Sequence, residues 1–462
     1  MSEDLAGVVA GLMGRAREDL AALVAWASVH DGQHAEACAE AAAAVVALLR
    51  EVGVDDARTV PTDDGSAAVV GSVAGPPGAP TVLLYSHYDV QPPGDLDDWR
   101  DDPWTLTEHD GRWYGRGSAD CKGNLVMHLT ALRALREADP GGVPVGLRVV
   151  CEGSEEASTG GLERLLAADP SLFAADVVVV ADAGNVALGT PTVTTSLRGT
   201  GSVLVTLRTL AGPVHSGALG GPAPDALAAM VRLLGTLRDD DGETTVDGLD
   251  ADGRWDGAPY DVARFRADAG VLPGVGLLGR GEPADLVWAR PVATVLALDA
   301  PPVAGVTAAI QGQARAVVNL RVPPGTDAAA AQRLLVAHLE RRAPWGAQVQ
   351  VQPMTLGRPF AARTDGPALR ALEDAMREAY GVDAVHAGQG GSIPLTTALA
   401  EVLPGAEVLV CGVEEPACRI HSPGESVHPD ELRRAALAEA LFLRRLGGTE
   451  EAAQDAAAGV TR

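Results

Sequence analysis

The sequence of 462 residues contains 47% hydrophobic and 3% aromatic residues, which describes a globular protein too long for one ordinary core and predicts two domains. Its formal net charge of −26 at pH 7 argues against nucleic acid and anionic membranes as partners, because both are polyanions. The five scattered cysteines form no CxxC pair, and no signal peptide or membrane anchor is recognisable, so we expect a cytoplasmic protein.

The first predicted elements lead to a strand that ends in chemically active side chains. A helix is predicted over residues 15–53 and a strand over Ala67–Val73. The following apolar run, from Val82, ends abruptly at His87 and Asp89. Strand side chains alternate between faces, so these two point the same way and the carboxylate is expected to orient the imidazole ring. A histidine held in this way is a good ligand for a divalent metal, whereas a structural hydrogen bond is the simpler alternative.

The segment Tyr114–Asn124 opens an amphipathic helix. Asp120 stands just before the helix, where it suits either an N-cap or a metal ligand. A phosphate-binding loop needs Gly-Lys-Ser/Thr, whereas here Lys122 precedes glycine and asparagine, so that class is set aside. Lys122 is also the one lysine of the chain.

The same pattern, an apolar run followed by residues of ligand type, occurs three more times in the chain. The residues that follow these three runs are Glu155 and Glu156, Asp182, and His421. Ligands of open α/β sheets lie beyond the carboxyl ends of the strands, so we expect these side chains to converge with His87. Two adjacent carboxylates suit different roles, since one can bind a metal while its neighbour holds a proton.

Residues 194–357 show a different sequence pattern, in which predicted strands and helices alternate and an acidic insertion begins at Asp239. This order predicts a smaller α+β domain inserted into the first one. We therefore expect an α/β catalytic domain over residues 1–193 and 358–447, with a mixed, mainly parallel sheet flanked by helices. Residues 448–462 are predicted to form a frayed tail.

Taken in order, these motifs resemble one family, the dinuclear zinc hydrolases that include cytosolic dipeptidases and carnosinases, acetylornithine deacetylase, succinyl-diaminopimelate desuccinylase and aminoacylase. The resemblance implies a zinc-peptidase catalytic domain with an inserted lid and dimerisation domain, and two divalent ions, zinc first, with manganese or cobalt as alternatives. Asp120 would bridge the ions. The other implied ligands are His87 and Asp182 for one ion, and Glu156 and His421 for the other.

The resemblance also implies roles for residues around the metals. Asp89 would support His87, and Glu155 would be the general base for a metal-bridging hydroxide. Three motifs favour the dipeptidase branch: Val214–Gly221, Asn319–Pro323 and Gly390–Pro394. They imply an oxyanion donor, a carboxylate-binding arginine and two pocket residues, which are His215, Arg321, Gly391 and Ser392. The inserted domain would form a homodimer and lend His215 to the partner's site.

The sequence departs from the family at three points, one of which is the atypical stretch Gly184–Gly189 after Asp182. Cys121 replaces the usual Asp or Asn, although the family's cis peptide after the bridging acid is expected to persist. Gly388 and Gln389 replace the Arg-Glu of carnosinases, which affects the preference for substrate side chains. The ligand set itself contains nitrogen and oxygen donors without a thiolate, and such a set suits zinc or manganese.

The predicted function is metal-dependent hydrolysis of the amide bond in dipeptides or similar small peptides with a free C-terminal carboxylate. The alternative within the family is an N-acyl-amino-acid deacylase. A serine hydrolase is disfavoured because Gly390–Pro394 has proline where the nucleophile elbow has its last glycine. A catalytically silent metal-binding protein would lack a ligand or the base, and none is missing.

Overall fold

Runs of valine, leucine and alanine form the central strands of the structure, a computed structural model that describes residues 2–139, 141–391 and 393–459 and the side chains of residues 5–448 within these ranges. The chain divides into two units. The first unit comprises Met1–Thr195, Ala362–Ala387 and Pro394–Arg462, and the second comprises Ser196–Ala361 and Gly388–Ile393.

Helices and strands alternate along most of the described chain. The helices are α1 Ser2–Val24, α2 Ala35–Glu51, α3 Lys122–Ala138, α4 Gly161–Ala168, α5 Ser216–Leu219, α6 Ala226–Leu234, α7 Val262–Asp268, α8 Ala328–Arg341, α9 Pro367–Tyr380, α10 Pro394–Val402 and α11 Pro429–Gly459. Among the described residues, none of these helices has the length and apolarity needed to cross a membrane.

The strands of the described residues range from two to ten residues in length. They are β1 Arg58–Pro61, β2 Ala67–Val73, β3 Thr81–His87, β4 Thr107–His109, β5 Arg112–Tyr114, β6 Gly146–Glu152, β7 Val177–Ala181, β8 Thr192–Leu197, β9 Gly199–Arg208, β10 Val214–His215, β11 Val292–Asp299, β12 Ala309–Ile310, β13 Gln313–Val322, β14 Gln348–Gly357, β15 Phe360–Ala361, β16 Val385–Gln389, β17 Glu407–Cys411 and β18 Ser426–Val427.

The first unit is built on a six-stranded sheet in the order β1-β2-β6-β3-β7-β17. Strand β3 runs parallel to β6 and β7, and β17 runs parallel to β7, whereas β1 and β2 are antiparallel. Every residue of β7 and β17 is buried, as expected for strands covered by helices on both faces. The predicted mixed, mainly parallel sheet flanked by helices is therefore confirmed.

The parallel strands end at one edge of this sheet. Strand β3 ends at His87, and Asp182 directly follows β7. The loop after β6 carries Glu155 and Glu156, and the loop after β17 carries His421. The fold thus delivers the sequence-predicted ligands to the carboxyl ends of neighbouring strands, where ligands of such sheets bind.

The second unit contains an antiparallel sheet in the order β11-β13-β9-β14. Helices α6 and α8 pack on one face, where alternate strand residues such as Val203, Val205 and Val318 form a second core. Residues 238–291 form an insertion before β11 that contains α7 and a π-helical turn, Asp285–Ala289. The unit spans residues 196–361, compared with the predicted 194–357.

Residues 388–393 belong to the second unit, although the sequence assigned them to the catalytic domain. The physical reason is local pairing, since the Arg198 amide donates to the carbonyl of Gln389 at 3.3 Å. The side chain of Trp288 also packs directly on Gly388.

Two predicted elements need correction. The helix expected over residues 15–53 is two helices, because α1 ends at Val24, where the ammonium of Lys122 donates to the carbonyls of Leu23 and Trp26 at 3.0 and 2.8 Å. The tail expected after residue 447 is helical through Gly459, because its alanines and glutamates are strong helix formers. Residues 460–462 lie outside the described residues.

Candidate metal centre and substrate-binding residues

The five predicted metal ligands lie together at the carboxyl edge of the sheet. The Nε2 atom of His87 lies 3.0 Å from Oδ1 of Asp120 and 3.2 Å from Oδ1 of Asp182. The Nε2 atom of His421 lies 2.9 Å from Oδ2 of Asp120 and 3.1 Å from Oε2 of Glu156. The two oxygens of Asp120 therefore face two separate groups of donors.

A buried carboxylate fixes the loop that carries Asp120. Glu425 accepts hydrogen bonds from three main-chain amides of this loop, those of Gly117, Ala119 and Asp120, each at 3.1 Å. Its charge is balanced by Arg116, whose Nη1 lies 2.7 Å away. The peptide bond between Asp120 and Cys121 is cis, as the family resemblance implies.

Asp89 contacts both His87 and the paired acids, and its main-chain oxygen lies closer to the ring than its carboxylate does. The Nδ1 atom of His87 lies 3.1 Å from the main-chain oxygen of Asp89 and 3.4 Å from its carboxylate. The carboxylate itself accepts the amide hydrogens of Glu155 and Glu156, at 3.1 and 3.0 Å. Because Nδ1 donates to a carbonyl, the lone pair of the neutral ring lies on Nε2, which faces the cluster.

The electrostatics of this cluster favour bound cations. Burial raises the pKa of Glu155 well above its ordinary range, and the nearby charge of Asp182 raises it further. Burial also raises the pKa values of Glu156 and Asp182. Hydrogen bonds to Asp120 and Glu156 raise the pKa of His421 to about 11. Buried carboxylates are costly unless they are paired or coordinate metals, so this donor set fits divalent cations.

Glu414 is a member of the cluster that the sequence analysis missed. One carboxylate oxygen each of Glu414, Asp120 and Asp182 lie within 4.8 Å of one another. Asn124 donates to Glu414 at 3.1 Å, and burial raises the pKa of this carboxyl well above its ordinary range. The signal was present in the sequence, because Glu414 follows the fourth apolar run, at the same kind of position as the other acids.

Cys121 also lies near the cluster, with ligand-type atoms of His87 and Asp182 close to its sulfur. Its Sγ donates to the carbonyl of Ala181 at 3.0 Å, and burial raises the pKa of the thiol well above its ordinary value. A metal ligand must be a thiolate, so the protonated Cys121 is a poor ligand. Its side chain is fully buried and contacts the end of β7 at Ala181.

His215 lies in the second unit, at the start of α5, with its side chain exposed. Its Nδ1 accepts the amide hydrogens of Gly217 and Ala218, both at 3.1 Å. The proton of the neutral ring must then be on Nε2. Local bonds to the main chain therefore hold the ring and leave an N–H donor pointing away from the loop.

Two arginines of the second unit form a cationic pair. Nη1 of Arg321 and Nε of Arg198 are buried without a hydrogen-bond partner among the described residues. Burial and the nearby charge of Arg321 lower the pKa of Arg198 to about 10. Unpaired buried guanidinium nitrogens mark a place for an anion. Sequence reasoning identified Arg321 but missed Arg198, which no motif singled out.

The glycine-rich loop lies beside this pair in the same unit. A Cβ atom at Gly390 would lie 2.9 Å from Nη2 of Arg198, so glycine permits the close approach. Gly391 has open space around its Cα, as a pocket-lining residue requires. Ser392 lies outside the described residues.

Comparison with known proteins agrees with these features. The family model described as peptidase family M20/M25/M40 matches residues 83–445. The chain is 46% identical over 436 residues to the cysteinylglycine-S-conjugate dipeptidase of Corynebacterium striatum, which covers 93% of this chain and 95% of the relative. It is 28% identical over 375 residues to the human Beta-Ala-His dipeptidase, covering 77% of this chain and 72% of that protein.

Solved structures show the same fold. The di-peptidase Dug1p from Saccharomyces cerevisiae has a TM-score of 0.83 at 20% identity, covering 97% of this chain and 98% of that chain. Human carnosine dipeptidase 1 has a TM-score of 0.81 at 23% identity, covering 96% and 98%. The predicted fold and the predicted dipeptidase branch are thereby confirmed. The chain belongs to peptidase family M20/M25/M40 and is a metal-dependent dipeptidase.

Proposed function

We propose that the chain hydrolyses dipeptides with a free C-terminal carboxylate and that it uses two divalent cations, zinc in preference to manganese or cobalt. The proposal rests mainly on the position of Asp120, whose two oxygens face His87 and His421 at 3.0 and 2.9 Å. Asp182 would complete the donors on one side of Asp120, and Glu156 those on the other. A shared carboxylate between two sets of nitrogen and oxygen donors suits a dinuclear zinc or manganese site.

The residues around the ligands suit the steps of amide hydrolysis. When bound, the cations would polarise the scissile carbonyl and acidify the attacking water. Glu155 would accept a proton from that water and pass it to the leaving amine. Asp89 holds the main chain of both adjacent acids, so that Glu155 and Glu156 keep separate roles.

The second unit would supply the groups that recognise the substrate. Arg321 and Arg198 would hold the terminal carboxylate through charge-assisted hydrogen bonds. His215 would stabilise the oxyanion through its Nε2–H, because Nδ1 is already bonded to the main chain. Residues 196–361 would thus act as the lid and dimerisation domain.

For the substrate we favour cysteinylglycine and its S-substituted forms over β-alanyl-histidine. The relative from Corynebacterium striatum is named for S-conjugates of cysteinylglycine, and a relative from Schizosaccharomyces pombe is named a Cys-Gly metallodipeptidase. A Cβ atom at Gly388 would lie 2.5 Å from Cγ of Trp288. This position therefore has no room for the arginine that the resemblance places there in carnosinases.

A homodimer through the second unit is part of the proposal. Leu296 and Leu298 on β11 are 62% and 39% exposed, and Val303 and Val306 in the following loop are 92% and 72% exposed. Clustered exposed apolar residues of this kind are typical of interaction surfaces. A partner subunit would cover them and would receive His215, whose ring is exposed and accepts hydrogen bonds from main-chain amides of its own loop.

The function is tested with purified protein and a panel of substrates. We expect about two divalent ions per chain, loss of cysteinylglycine hydrolysis on chelation, and recovery with Zn²⁺ or Mn²⁺. Cysteinylglycine should be cleaved in preference to N-acetyl amino acids, which a deacylase of the same family would prefer. Full activity in protein shown by elemental analysis to be free of metal would refute the proposal.

Substitution of Glu155 and of Glu156 is expected to have different effects, because the two acids have different roles. Glu155→Gln should keep both ions and lower kcat by roughly 10²- to 10⁴-fold, because the proton acceptor is lost. Glu156→Gln should lose metal, because an amide is a weaker ligand than a carboxylate. Metal content and kcat are measured together, with Glu137→Gln on the exposed face of α3 as the matched control. If both variants keep metal and normal turnover, the assignment of the base is wrong.

Removing either guanidinium should affect substrates according to their charge. Arg321→Ala or Arg198→Ala should lower kcat/KM for dipeptides by about 10- to 150-fold, equivalent to about 1.5–3 kcal/mol for a charge-assisted bond. The corresponding dipeptide amides should change by less than about 3-fold, since they lack the carboxylate. Arg315→Ala, on the same strand β13, serves as the control. Equal losses on acids and amides would remove the pair from the carboxylate site.

The role of His215 across the dimer is tested by complementation. Inactive His215→Ala chains are mixed with inactive Glu155→Gln chains and allowed to exchange subunits. In a mixed dimer, the site with intact Glu155 receives intact His215 from its partner, so activity should return to roughly a quarter of wild type with random pairing. Proven exchange without any recovery would show that His215 acts within its own chain or plays no part.

A further inference from the structure

A cavity of about 440 Å³ lies in the insertion of the second unit, between Arg238 and Val292. Cavities that bind small ligands have volumes of about 300–1,000 Å³ and mainly apolar walls. The wall of this cavity is also mainly apolar. Its apolar members include Val262, Phe265, Val275, Leu278, Pro283 and Leu286. Apart from Arg198, the residues that line the cavity have no role in the proposed dipeptide hydrolysis.

An aromatic cluster joins the cavity wall to the glycine-rich loop within the same unit. The ring of Trp288 lies 5.4 Å from Tyr260, and the ring of Tyr260 lies 5.2 Å from Phe265, measured between centroids. Phe265 lines the cavity, and Trp288 contacts Gly388 at the start of the loop. The insertion thus packs on the segment that carries the predicted pocket residue Gly391.

Three arginines line the cavity, and they differ in what they bind. Arg238 donates to the carbonyls of Gly242 and Ala293 at 2.6 and 2.9 Å. Arg290 donates to carbonyls of the insertion as well, at 2.7 and 2.9 Å. These two shape the wall. Arg198 differs, because its Nε is buried without a hydrogen-bond partner among the described residues.

Arg198 therefore belongs to two features at once. It lines the apolar cavity, and burial together with the nearby charge of Arg321 lowers its pKa. A ligand that satisfies both features carries an anionic group for the guanidinium pair and an apolar group for the cavity. Two wall residues, Val275 and Leu278, are 52% and 58% exposed and would be covered by that apolar group.

We propose that this cavity is a side-chain subsite of the dipeptidase, which binds an apolar substituent of a dipeptide whose carboxylate is held by Arg198 and Arg321. The inference rests on the proposed carboxylate site. Within the proposed substrate class, it specifies dipeptides whose side chain or S-substituent is long and apolar, and it assigns the residues that would bind that group. The occupant is the substrate itself, in preference to a second copy of the chain.

Two matched substrate pairs test the subsite in the wild-type enzyme. One pair is S-methyl- and S-hexyl-cysteinylglycine, which varies the N-terminal residue. The other pair is glycylalanine and glycyl-2-aminooctanoate, which varies the C-terminal residue. We expect kcat/KM to be at least about 10-fold higher for the longer member in one of the pairs. The pair that shows the preference identifies which side chain enters the cavity.

The cavity can be filled without straining the main chain. A Cβ atom at Gly276 would have no atom within 4 Å, and Gly276 does not have a positive φ. Gly276→Phe should lower kcat/KM for the preferred long substrate at least about 10-fold and change the short substrate by less than about 2-fold. The control is Gly405→Phe in the first unit, at a glycine with equally open surroundings. Ala269→Phe, on another side of the cavity, is the second variant should Gly276→Phe fold poorly.

Each result decides a different point. Loss of the preference for the long substrate, with activity on the short one retained, supports the subsite. No preference in the wild-type enzyme for either long substrate, or a preference that survives both variants, overturns it while the dipeptidase function stands. A change of oligomeric state in Gly276→Phe, measured by analytical ultracentrifugation, would also overturn it by making the cavity a contact between copies. No hydrolysis of any dipeptide would instead refute the proposed function.

Discussion

The candidate metal centre depends on how Asp120 is held. Its two oxygens face different histidines, and this geometry exists because Glu425 binds the amides of the preceding loop while Arg116 balances the charge of Glu425. Both supporting groups are buried, so any shift of the loop would leave a charge unpaired. Cations that bind here would stabilise the folded state as well as take part in the reaction, because the acids of the cluster repel one another without them.

The two units carry opposite chemistry. In the first, carboxylates and imidazoles at a sheet edge suit cations and a polarised carbonyl. In the second, the unpaired guanidinium nitrogens of Arg198 and Arg321 suit an anion, beside an apolar cavity. A chain with a net charge of −26 repels anionic substrates at long range, whereas this local cationic pair would attract a carboxylate. Among the described residues, Nη1 of Arg321 and Nε of Arg198 have no hydrogen-bond partner.

Much of the first unit follows from the sequence, because apolar runs that end in ligand-type residues predict both the strands and the edge where they meet. The ligand assignments and the cis peptide came from family resemblance. Other features depend on contacts between distant segments, which periodicity does not contain. Asp89 binds the amides of Glu155 and Glu156, and Arg198 meets a loop near residue 389. Glu414 could have been predicted from its position after an apolar run, but only His421 in the same loop was assigned as a ligand.

Lys122, which contacts the end of α1, also determines how the protein reacts with amine reagents. It is the one lysine of the chain, its side chain is fully buried, and burial lowers its pKa to about 7. The folded surface therefore offers no lysine amine to acylating reagents or amine cross-linkers. Acylation at Lys122 requires that the end of α1 separate from the start of α3, because the amine donates to the carbonyls of Leu23 and Trp26. The chain thus contains a single chemical reporter of local opening, located two residues from the carboxylate that faces both histidines.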